Sequence, residues 1–488
     1  MNSRPPRRRP ADPARSLAYG VLRSVSADDA YANLILPARL RRAGLHGRDA
    51  AFATELTYGT LRGQGFYDAV IDAAATPGSR IDPEVRDALR LGAHQLLGMR
   101  VAAHAAVDST VGLVRYEVSA GPARFANAVL RRIAERSAEE WRQRVTEGKS
   151  ALDALAITGS HPAWILRAFR QALVAHGSDP SELAALVEAD NAAPDPVLAA
   201  LPGLIDPAEL PGETTGLSPV AKRLRGQAPA DLPAVAAGRA RVQDEGSQLV
   251  ALALAHASSA LDEEREWLDL CAGPGGKSAL LAAIGAGRSV TLTAVEPSEH
   301  RARLVRDSLR ALEGWEVHEA DGREFGAANT GRFSRVLVDV PCTGLGALRR
   351  RPESRWRRSP KDLPQLAPLQ RELLAAGLNA LAPGGVLAYA TCSPHPAETI
   401  AVVDDVLGRQ GGEQAGTQTG PAVLEVLDAP AVLADVTGSE PESFASVAKT
   451  APGQEPGPDG APATGRLAQL WPHRHGTDGM FLALLRKR

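Results

Sequence analysis

The stretch "LDLCAGPGGKSALLA", residues 268–282, places a glycine-rich turn between a run of apolar residues and a helix-like repeat. This order is typical of a strand, a turn and a helix in an α/β fold. Glycines let a backbone approach a ligand without a Cβ, and the N-terminus of the following helix favours a carboxylate or a phosphate. The stretch therefore predicts a ligand-binding turn at the end of a strand.

The spacing of the glycines excludes two common nucleotide motifs. A Walker P-loop needs a glycine five positions before Gly276, where Cys271 stands. A dinucleotide fingerprint needs G-x-G-x-x-G, whereas Gly273, Gly275 and Gly276 are spaced G-x-G-G. A nucleoside without a pyrophosphate fits better, and S-adenosylmethionine is the common one. A turn that only tightens the packing of strand against helix stays open as the structural alternative.

Two acidic residues follow the turn at the ends of predicted strands. The strand "TLTAVE" ends in Glu296, where a doubly wound fold places an acid on the ribose hydroxyls. The segment "EADGREF" places Asp321 after the next strand, in a position to meet an adenine. Each acid alone is weak support, because many strands end in one, but with the turn they predict a nucleoside pocket.

The pattern around this core predicts a multidomain protein. From about residue 240, short apolar runs alternate with helical stretches, which indicates βαβ units and a Rossmann-like α/β domain with a parallel sheet. Before residue 145 the apolar spacing is helical throughout and predicts an all-α bundle, followed by a small α/β connecting subdomain. The predicted bounds are a basic disordered tail at 1–12, the helical domain at 13–145, the connecting subdomain at 155–240, and the C-terminal domain at 241–488 with a low-complexity insertion at 409–465.

Composition narrows the class of protein. The chain has 488 residues, of which 44% are hydrophobic, enough for the cores of two or three domains. The net charge of −2 neither favours nor excludes a polyanionic partner. No apolar run approaches the roughly 18 residues of a membrane span, and no apolar segment follows the basic N-terminus, so we expect a cytoplasmic protein.

The three cysteines lie far apart, which argues against a disulfide framework or a zinc knuckle. The strand "VLVDVPCTG" (336–344) carries Asp339 and Cys342 to the carboxyl edge of the sheet, because Pro341 ends the strand there. The strand ending in "YATCSPHP" repeats this arrangement and places Cys392 on the same edge. A lone buried cysteine is usually inert, but two at adjacent strand ends favour catalysis.

An arginine-rich segment, "RRRPESRWRR" (349–358), follows the first of these strands. Arginines interleaved with a tryptophan can pair with phosphates and stack on a base. A merely solvated face is the alternative, and it is the favoured interpretation for the basic N-terminal tail. The predicted RNA contacts are Arg349, Arg350, Arg355 and Trp356.

Four of these motifs, "DLCAGPGGK", "DVPCTG", "RRRPESRW" and "YATCSPHPAE", resemble the signatures of the Sun/Fmu family of RNA cytosine-5 methyltransferases. The helical segment resembles the NusB-type RNA-binding domain. The resemblance covers nearly the whole chain and implies methylation of C5 of a cytosine in 16S ribosomal RNA, with S-adenosylmethionine as cofactor. The target base must be single-stranded, looped or flipped out of a duplex.

The resemblance also implies roles for the thiols. C5 of cytosine is a poor nucleophile until a thiolate adds to C6. Spacing alone leaves open which thiol attacks; DNA enzymes would select Cys342, whereas the RNA family implies Cys392 as nucleophile and Cys342 in product release. Asp339 is expected to bond the cytosine ring, and Lys277 to be a cation in the pocket. The predicted cofactor-binding set is Cys271, Ala272, Gly273, Pro274, Gly275, Gly276, Lys277, Glu296, Arg301, Asp321 and Asp339.

Other functions compete with this one. The substrate could be a tRNA or another ribosomal site. Alternatively, the chain could be a non-catalytic RNA-binding or antitermination factor, which we would expect to have lost Cys392, Cys342 or Asp339. His473 and His475 invite a metal site, but two histidines without further ligands are more often part of a turn or a surface. We therefore predict no metal, RNA as the partner, and a monomer.

Overall fold

The computed structural model describes residues 12–412, 424–446 and 466–488. These residues divide into two compact units. The first unit combines the chain up to Arg167 with Asp190–Ala192 and Leu348–Arg357, and the second contains the remainder. The predicted tail at 1–12 lies outside the described residues except for Asp12.

The first unit is built from helices whose starts are encoded by capping residues. Asp12 accepts a 2.9 Å hydrogen bond from Arg15 N at the start of the first helix, and Ser137 forms a capping box with Glu140 at the start of the eighth. The helices are α1 (Pro13–Ala27), α2 (Ala32–Arg42), α3 (Gly47–Arg62), α4 (Gln64–Ala74), α5 (Pro83–Leu97), α6 (Ala103–Leu113), α7 (Ala120–Ala134), α8 (Ala138–Thr146) and α9 (Ala151–Thr158). Their apolar stripes share one core, which confirms the predicted all-α bundle.

Two helices, α10 (Ala163–Ala175) and α11 (Leu183–Asn191), cross the boundary between the units. They lead into a four-stranded antiparallel sheet in the order β2-β3-β1-β4. Its elements are β1 (Val197–Ala200), β2 (Glu213–Thr214), β3 (Ala221–Arg223), α12 (Pro233–Ala236) and β4 (Ala240–Val242). This is the small α/β subdomain that the sequence predicts.

The second unit is dominated by a larger mixed sheet. Its strands are β5 (Glu266–Asp269), β6 (Thr291–Val295), β7 (Trp315–His318), β8 (Phe333–Asp339), β9 (Leu381–Thr391), β10 (Leu424–Leu427), β11 (Ala445–Ser446), β12 (Leu467–Gln469) and β13 (Phe481–Lys487). The order is β11-β12-β13-β9-β8-β5-β6-β7, and β10 pairs with β13. Strands β5 to β9 are parallel and β13 runs antiparallel to β9, which confirms the Rossmann-like domain.

Helices cover both faces of this sheet. They are α13 (Glu245–His256), α14 (Gly276–Ala286), α15 (Glu299–Leu309), α16 (Gly322–Ala328), α18 (Leu363–Ala380), α19 (Ile400–Gly412), α20 (Ala429–Thr437) and α21 (Pro472–His475). Along β8, Val336 and Val338 join one hydrophobic cluster and Leu337 joins the other, so the strand is buried on both sides. Because β5 lies between β6 and β8, a crevice opens at its carboxyl end, where such sheets bind ligands.

The prediction of a low-complexity insertion over the whole of 409–465 is wrong for residues 424–446. Here β10 pairs with β13, and Leu433 of α20 and Phe444 are buried in the core of the second unit. The apolar residues of this stretch complete the sheet, but glycine- and proline-rich segments on both sides mask them in the composition. The segments 413–423 and 447–465 lie outside the described residues.

Candidate active site

The glycine turn that joins β5 to α14 requires glycine at position 275 and leaves room for a close side-chain approach at Gly273. Gly275 has φ +99, and a Cβ on it would lie 2.6 Å from Ser308 Cβ. A Cβ on Gly273 would lie 2.2 Å from Glu296 Oε2. The missing side chains therefore let the turn approach both α15 and the acid that follows β6.

Glu296 is buried and holds the turn through its carboxylate. Oε2 accepts a 3.1 Å hydrogen bond from Gly273 N, and Oε1 accepts one of 3.0 Å from Ser298 N. Arg301 pairs with Oε2 at 3.2 Å and donates to Gly273 O at 2.7 Å. Because a carboxylate has about four acceptor sites and three are taken by these donors, Glu296 keeps capacity for one ribose hydroxyl. The turn and this acid thus fit a nucleoside cofactor.

A partly buried ion pair lies beside the turn. Lys277 Nζ donates to Asp339 Oδ2 at 2.7 Å, and the side chains are 11% and 27% exposed. Burial alone would lower the pKa of Lys277. The negative charges of Asp339, Cys392 and Asp269 raise it by more, so the pKa lies above its usual value. Lys277 is therefore a cation, and it acts electrostatically on both Asp339 at the end of β8 and Cys392 just past the end of β9.

The two thiols predicted to share one edge of the sheet are in contact. Cys342 Sγ lies 3.3 Å from Cys392 Sγ, and both residues are partly exposed. They meet because β8 and β9 are parallel neighbours, with Asp339 opposite Ala390 in the register. The hydrogen bond to Cys392 raises the pKa of Cys342 well above its usual value, and burial adds to this. Cys342 therefore keeps its proton and can donate it towards Cys392.

The structure reveals two further acids that the sequence analysis did not assign to the site. Glu398 is fully buried and accepts hydrogen bonds from Thr343, which follows Cys342. Asp269 is buried at the end of β5, where it accepts a 2.6 Å hydrogen bond from Ser278 Oγ. The sequence could have pointed to both acids, because Asp269 lies within "LDLCAGPGGKSALLA" and Glu398 is the last residue of "YATCSPHPAE".

Known protein families and individual proteins are similar to long stretches of this chain. The model of the family described as 16S rRNA methyltransferase RsmB/F matches residues 257–486, and that of the NusB family matches residues 12–135. A protein of Mycobacterium tuberculosis named as a methyltransferase, Rv1407, is 49% identical over 497 residues, covering 99% of both chains. The ribosomal RNA small subunit methyltransferase B of Pseudomonas putida is 31% identical and covers 82% of this chain and 89% of its own.

The chain belongs to the RsmB/F family of ribosomal RNA methyltransferases. It is accordingly an RNA cytosine-5 methyltransferase that uses S-adenosylmethionine, which confirms the predicted enzyme class and cofactor. The solved structure of PH0851 covers 99% of this chain with a TM-score of 0.73 and 19% identity. A methyltransferase homologue from Pyrococcus horikoshii covers 70% with a TM-score of 0.51 and 20% identity, and both support the fold.

Two further residues of the predicted cofactor-binding set of this RsmB/F chain, Cys271 and Asp321, are less clearly suited to hold the cofactor. Cys271 lies in the turn, where burial raises the pKa of its thiol well above the usual value, and this favours packing over chemistry. Asp321 follows β7, but its carboxylate accepts from Arg323 N at 2.9 Å and pairs with the Arg323 guanidinium at 2.6 Å. Its contact with adenine stays a prediction, in which Arg323 is a competing partner.

Arg355, predicted to bind RNA, is fully buried in the first unit of this RsmB/F chain. Its guanidinium donates to the carbonyl oxygens of Arg62, Ser160 and Asp190 and to the side-chain oxygen of Asn191. Burial lowers its pKa to about 10, although the charge of Asp190 opposes this. We therefore remove Arg355 from the RNA-binding set, because its donors serve the fold. Trp356 is 37% exposed, and Arg349 and Arg350 are partly exposed.

The two histidines considered for a metal site have protein partners. His473 Nε2 lies 2.8 Å from Glu182 Oε2, and His475 Nε2 lies 2.9 Å from Ser443 O. Among the described residues, no group of three or more histidine, cysteine or acidic side chains is arranged to hold a metal. Within the same residues, no helix has the length and hydropathy needed to cross a membrane.

Proposed function

We propose that the chain methylates C5 of a cytosine in 16S ribosomal RNA through a transient bond between Cys392 Sγ and C6 of the base. The observation that carries this proposal is the 3.3 Å contact between the two thiols, next to the partly buried cation of Lys277. A cation beside a thiol favours the thiolate, and the thiolate is the nucleophile. The similarity to small-subunit methyltransferase B supports the choice of substrate.

The chain's own groups account for the addition step. The lone pair of the Cys392 thiolate forms the bond to C6, and the C5=C6 electron pair moves to C5. Asp339 bonds the cytosine ring with acceptor capacity that Lys277 leaves unused, which orients the base for the addition. The cation of Lys277 offsets the negative charge that the addition places on the ring. Bound S-adenosylmethionine supplies the electrophilic methyl group; Glu296, Arg301 and the glycine turn would hold it.

Release requires one proton to leave C5 and the C6–S bond to break. The C5–H electron pair restores the C5=C6 bond, and the C6–S pair returns to the sulfur of Cys392. Cys342 gives its proton to that sulfur and takes the C5 proton in exchange, which its position 3.3 Å away allows. The proton gained by Cys392 then leaves to solvent before the next cycle.

Methyl mapping tests the proposal. The protein is incubated with methyl-labelled S-adenosylmethionine and either deproteinised ribosomal RNA, small subunits or tRNA, and methylcytosine is mapped. We expect label in 16S RNA, and incorporation into tRNA alone would contradict the substrate. Cys342→Ala should trap a covalent RNA adduct, whereas Cys392→Ala should give neither product nor adduct. The reverse pattern would exchange their roles.

The remaining features complete the proposal. The helical domain, with Arg349, Arg350 and Trp356, contacts the RNA around the target base. The enzyme acts as a monomer and in the cytoplasm, where ribosomal RNA is found. Light scattering on the purified chain, with and without RNA, tests the monomer.

A further inference from the structure

A buried carboxylate lies beneath the loop that carries Cys342. Glu398 is 0% exposed and accepts three hydrogen bonds from neutral donors. Thr343 N donates at 2.8 Å, Thr343 Oγ1 at 2.5 Å, and Gln370 Nε2 at 3.1 Å. Among the described residues, no salt bridge joins Glu398 to a cation. A buried carboxylate is costly, so hydrogen bonds alone must offset its desolvation.

These donors fix both neighbours of Cys342. Thr343 follows Cys342 directly, and Gln370 on α18 also donates to the carbonyl of Pro341, which precedes it, at 2.9 Å. Both flanks of the thiol are therefore held by one carboxylate and one amide. These bonds hold the backbone on both sides of Cys342, so χ1 is the single rotation that still decides where its sulfur lies.

The same clamp extends to Cys392. Thr343 Oγ1 lies 3.2 Å from Ser393 Oγ, and Gly346 N donates to Cys392 O at 2.8 Å. Tyr389 Oη donates to the carbonyl of Glu398 at 2.7 Å, so the loop after β9 is tied back to its own strand. Glu398 thus joins the two thiol-bearing loops near the point where their sulfurs meet.

The charge of Glu398 also acts on the thiol that it positions. Its carboxylate raises the pKa of Cys342, in addition to the larger effects of the Cys392 hydrogen bond and burial. A glutamine would remove this charge and keep the shape of the side chain, but its NH2 group would donate to Thr343 Oγ1 where the carboxylate oxygen accepts from it. The carboxylate thus contributes a charge to the site in addition to closing the loop.

We propose that Glu398 is a positioning residue for product release, whose carboxylate holds Cys342 against Cys392 and keeps the proton on Cys342 until the base has been methylated. This inference rests on the proposed function, in which Cys342 returns that proton to Cys392. If Cys342 lost its proton early, two thiolates would face each other and release would lack its acid.

The main test is Glu398→Gln, which keeps the shape of the side chain and removes its charge. We expect unchanged binding of S-adenosylhomocysteine, normal formation of the Cys392 adduct, and release slowed about tenfold. This is less than the roughly 10²–10⁴-fold effect of a direct acid–base catalyst, because Glu398 acts through Cys342. Quenched single-turnover reactions on denaturing gels should therefore show accumulation of protein–RNA adduct. Wild-type release in this variant would overturn the proposal, and so would a loss of cofactor binding and folding in proportion to activity.

A second readout separates charge from structure. In a Cys392→Ala background, the pH dependence of Cys342 alkylation by iodoacetamide is measured by mass spectrometry, with Cys271 as the internal reference. Adding Glu398→Gln should shift the Cys342 profile to lower pH. Thr343→Val loosens the loop but leaves the charge. It should therefore slow release in the enzyme that retains Cys392, and in the Cys392→Ala background it should leave the Cys342 profile unshifted. An unshifted Glu398→Gln profile would overturn the assigned role.

Glu245→Gln is the control for the loss of a buried charge. Glu245 is a buried carboxylate of the second unit that accepts a 3.1 Å hydrogen bond from Ser218 N and, unlike Glu398, lies 3.8 Å from a guanidinium, that of Arg223. It should change neither adduct accumulation nor the alkylation profile; a change in either would show that loss of any buried charge suffices and would overturn the proposal. If the wild type forms no methylcytosine, the proposed function fails by itself, and the alkylation profile still decides whether Glu398 controls Cys342.

Discussion

The thiol loop, residues 339–347, and the arginine segment, residues 349–358, follow one another in the chain, but their reactive and charged side chains meet different surroundings. In the thiol loop, Cys342 is partly exposed at the edge of a sheet, in contact with Cys392. In the arginine segment, Arg355 is buried and bonded to carbonyl oxygens. The sequence predicted a functional role for both stretches. Cys342 of the thiol loop is accessible at the edge of the sheet, whereas Arg355 of the arginine segment is not accessible.

The difference shows which sequence motifs predict where a side chain lies in the fold. A strand of a parallel sheet ends at a known edge, so a motif at its end is placed by topology. A cluster of arginines carries no such placement, because a guanidinium satisfies backbone carbonyls as well as phosphates. Arg355 lies on the four-residue helix α17 (Ser354–Arg357), whose orientation no periodicity in the sequence defines.

The largest expected effect tests the charge beside the thiols. Lys277→Met removes the cation that acts on both Asp339 and Cys392. Loss of such a preorganised charge should lower methyl transfer about 100-fold, and alkylation of Cys392 at neutral pH should slow in parallel. Mass spectrometry of the alkylated peptide measures the second effect. Lys222→Met is the control, because the Lys222 amine donates a hydrogen bond to Thr214 and is an exposed lysine contact outside the site. An unaltered alkylation rate in Lys277→Met would contradict the role of this cation at the thiol loop.

The next effect tests the arginine segment. Arg355→Met leaves several buried oxygens without a donor, so the free energy of unfolding should fall by about 3 kcal/mol in urea titrations. RNA affinity of the folded protein should change little. Trp356→Ala should do the opposite and weaken binding of a single-stranded RNA about tenfold, measured by fluorescence anisotropy. Unchanged stability with weaker RNA binding in Arg355→Met would restore Arg355 to the RNA-binding set.

The third prediction concerns pH and Asp269, on the catalytic side. Burial raises its pKa from 3.8 to about 7, and Asp339 adds to the shift. The folded state therefore binds the proton more tightly than the unfolded chain, and this stabilisation is complete below pH 3.8 and lost as pH rises to about 7. The unfolding free energy of the wild type, minus that of Asp269→Asn, should fall across this window.

A second variant supplies the opposite sign for the pH experiment. Arg323 lowers the pKa of Asp321, so this carboxylate stabilises the fold above its ordinary pKa and loses that effect as pH falls. The difference between wild type and Asp321→Asn should therefore rise with pH in the acidic range. A flat difference for Asp269→Asn would show that its carboxyl is not held in the protonated form.

Strand ends and glycine turns were predictable because they depend on short-range order. The alternation of strands and helices, the turn at Gly273, and the meeting of Cys342 with Cys392 all follow from a parallel sheet. The role of Glu398 was not predictable, since it depends on Gln370 of α18 arriving beside the loop. Likewise, β10 was missed because its partner β13 lies far along the chain, beyond a glycine- and proline-rich segment.

Strand β13 has a consequence for the behaviour of shortened chains. It pairs with β9 from Val386 to Thr391, directly before Cys392, and Lys487 Nζ bonds the carbonyls of Leu378 and Leu381 at the other end. A chain ending before Phe481 would expose the N–H and C=O groups of a long apolar strand. Such an edge templates pairing with other molecules, so aggregation would remove the truncated protein before any catalytic defect could be measured.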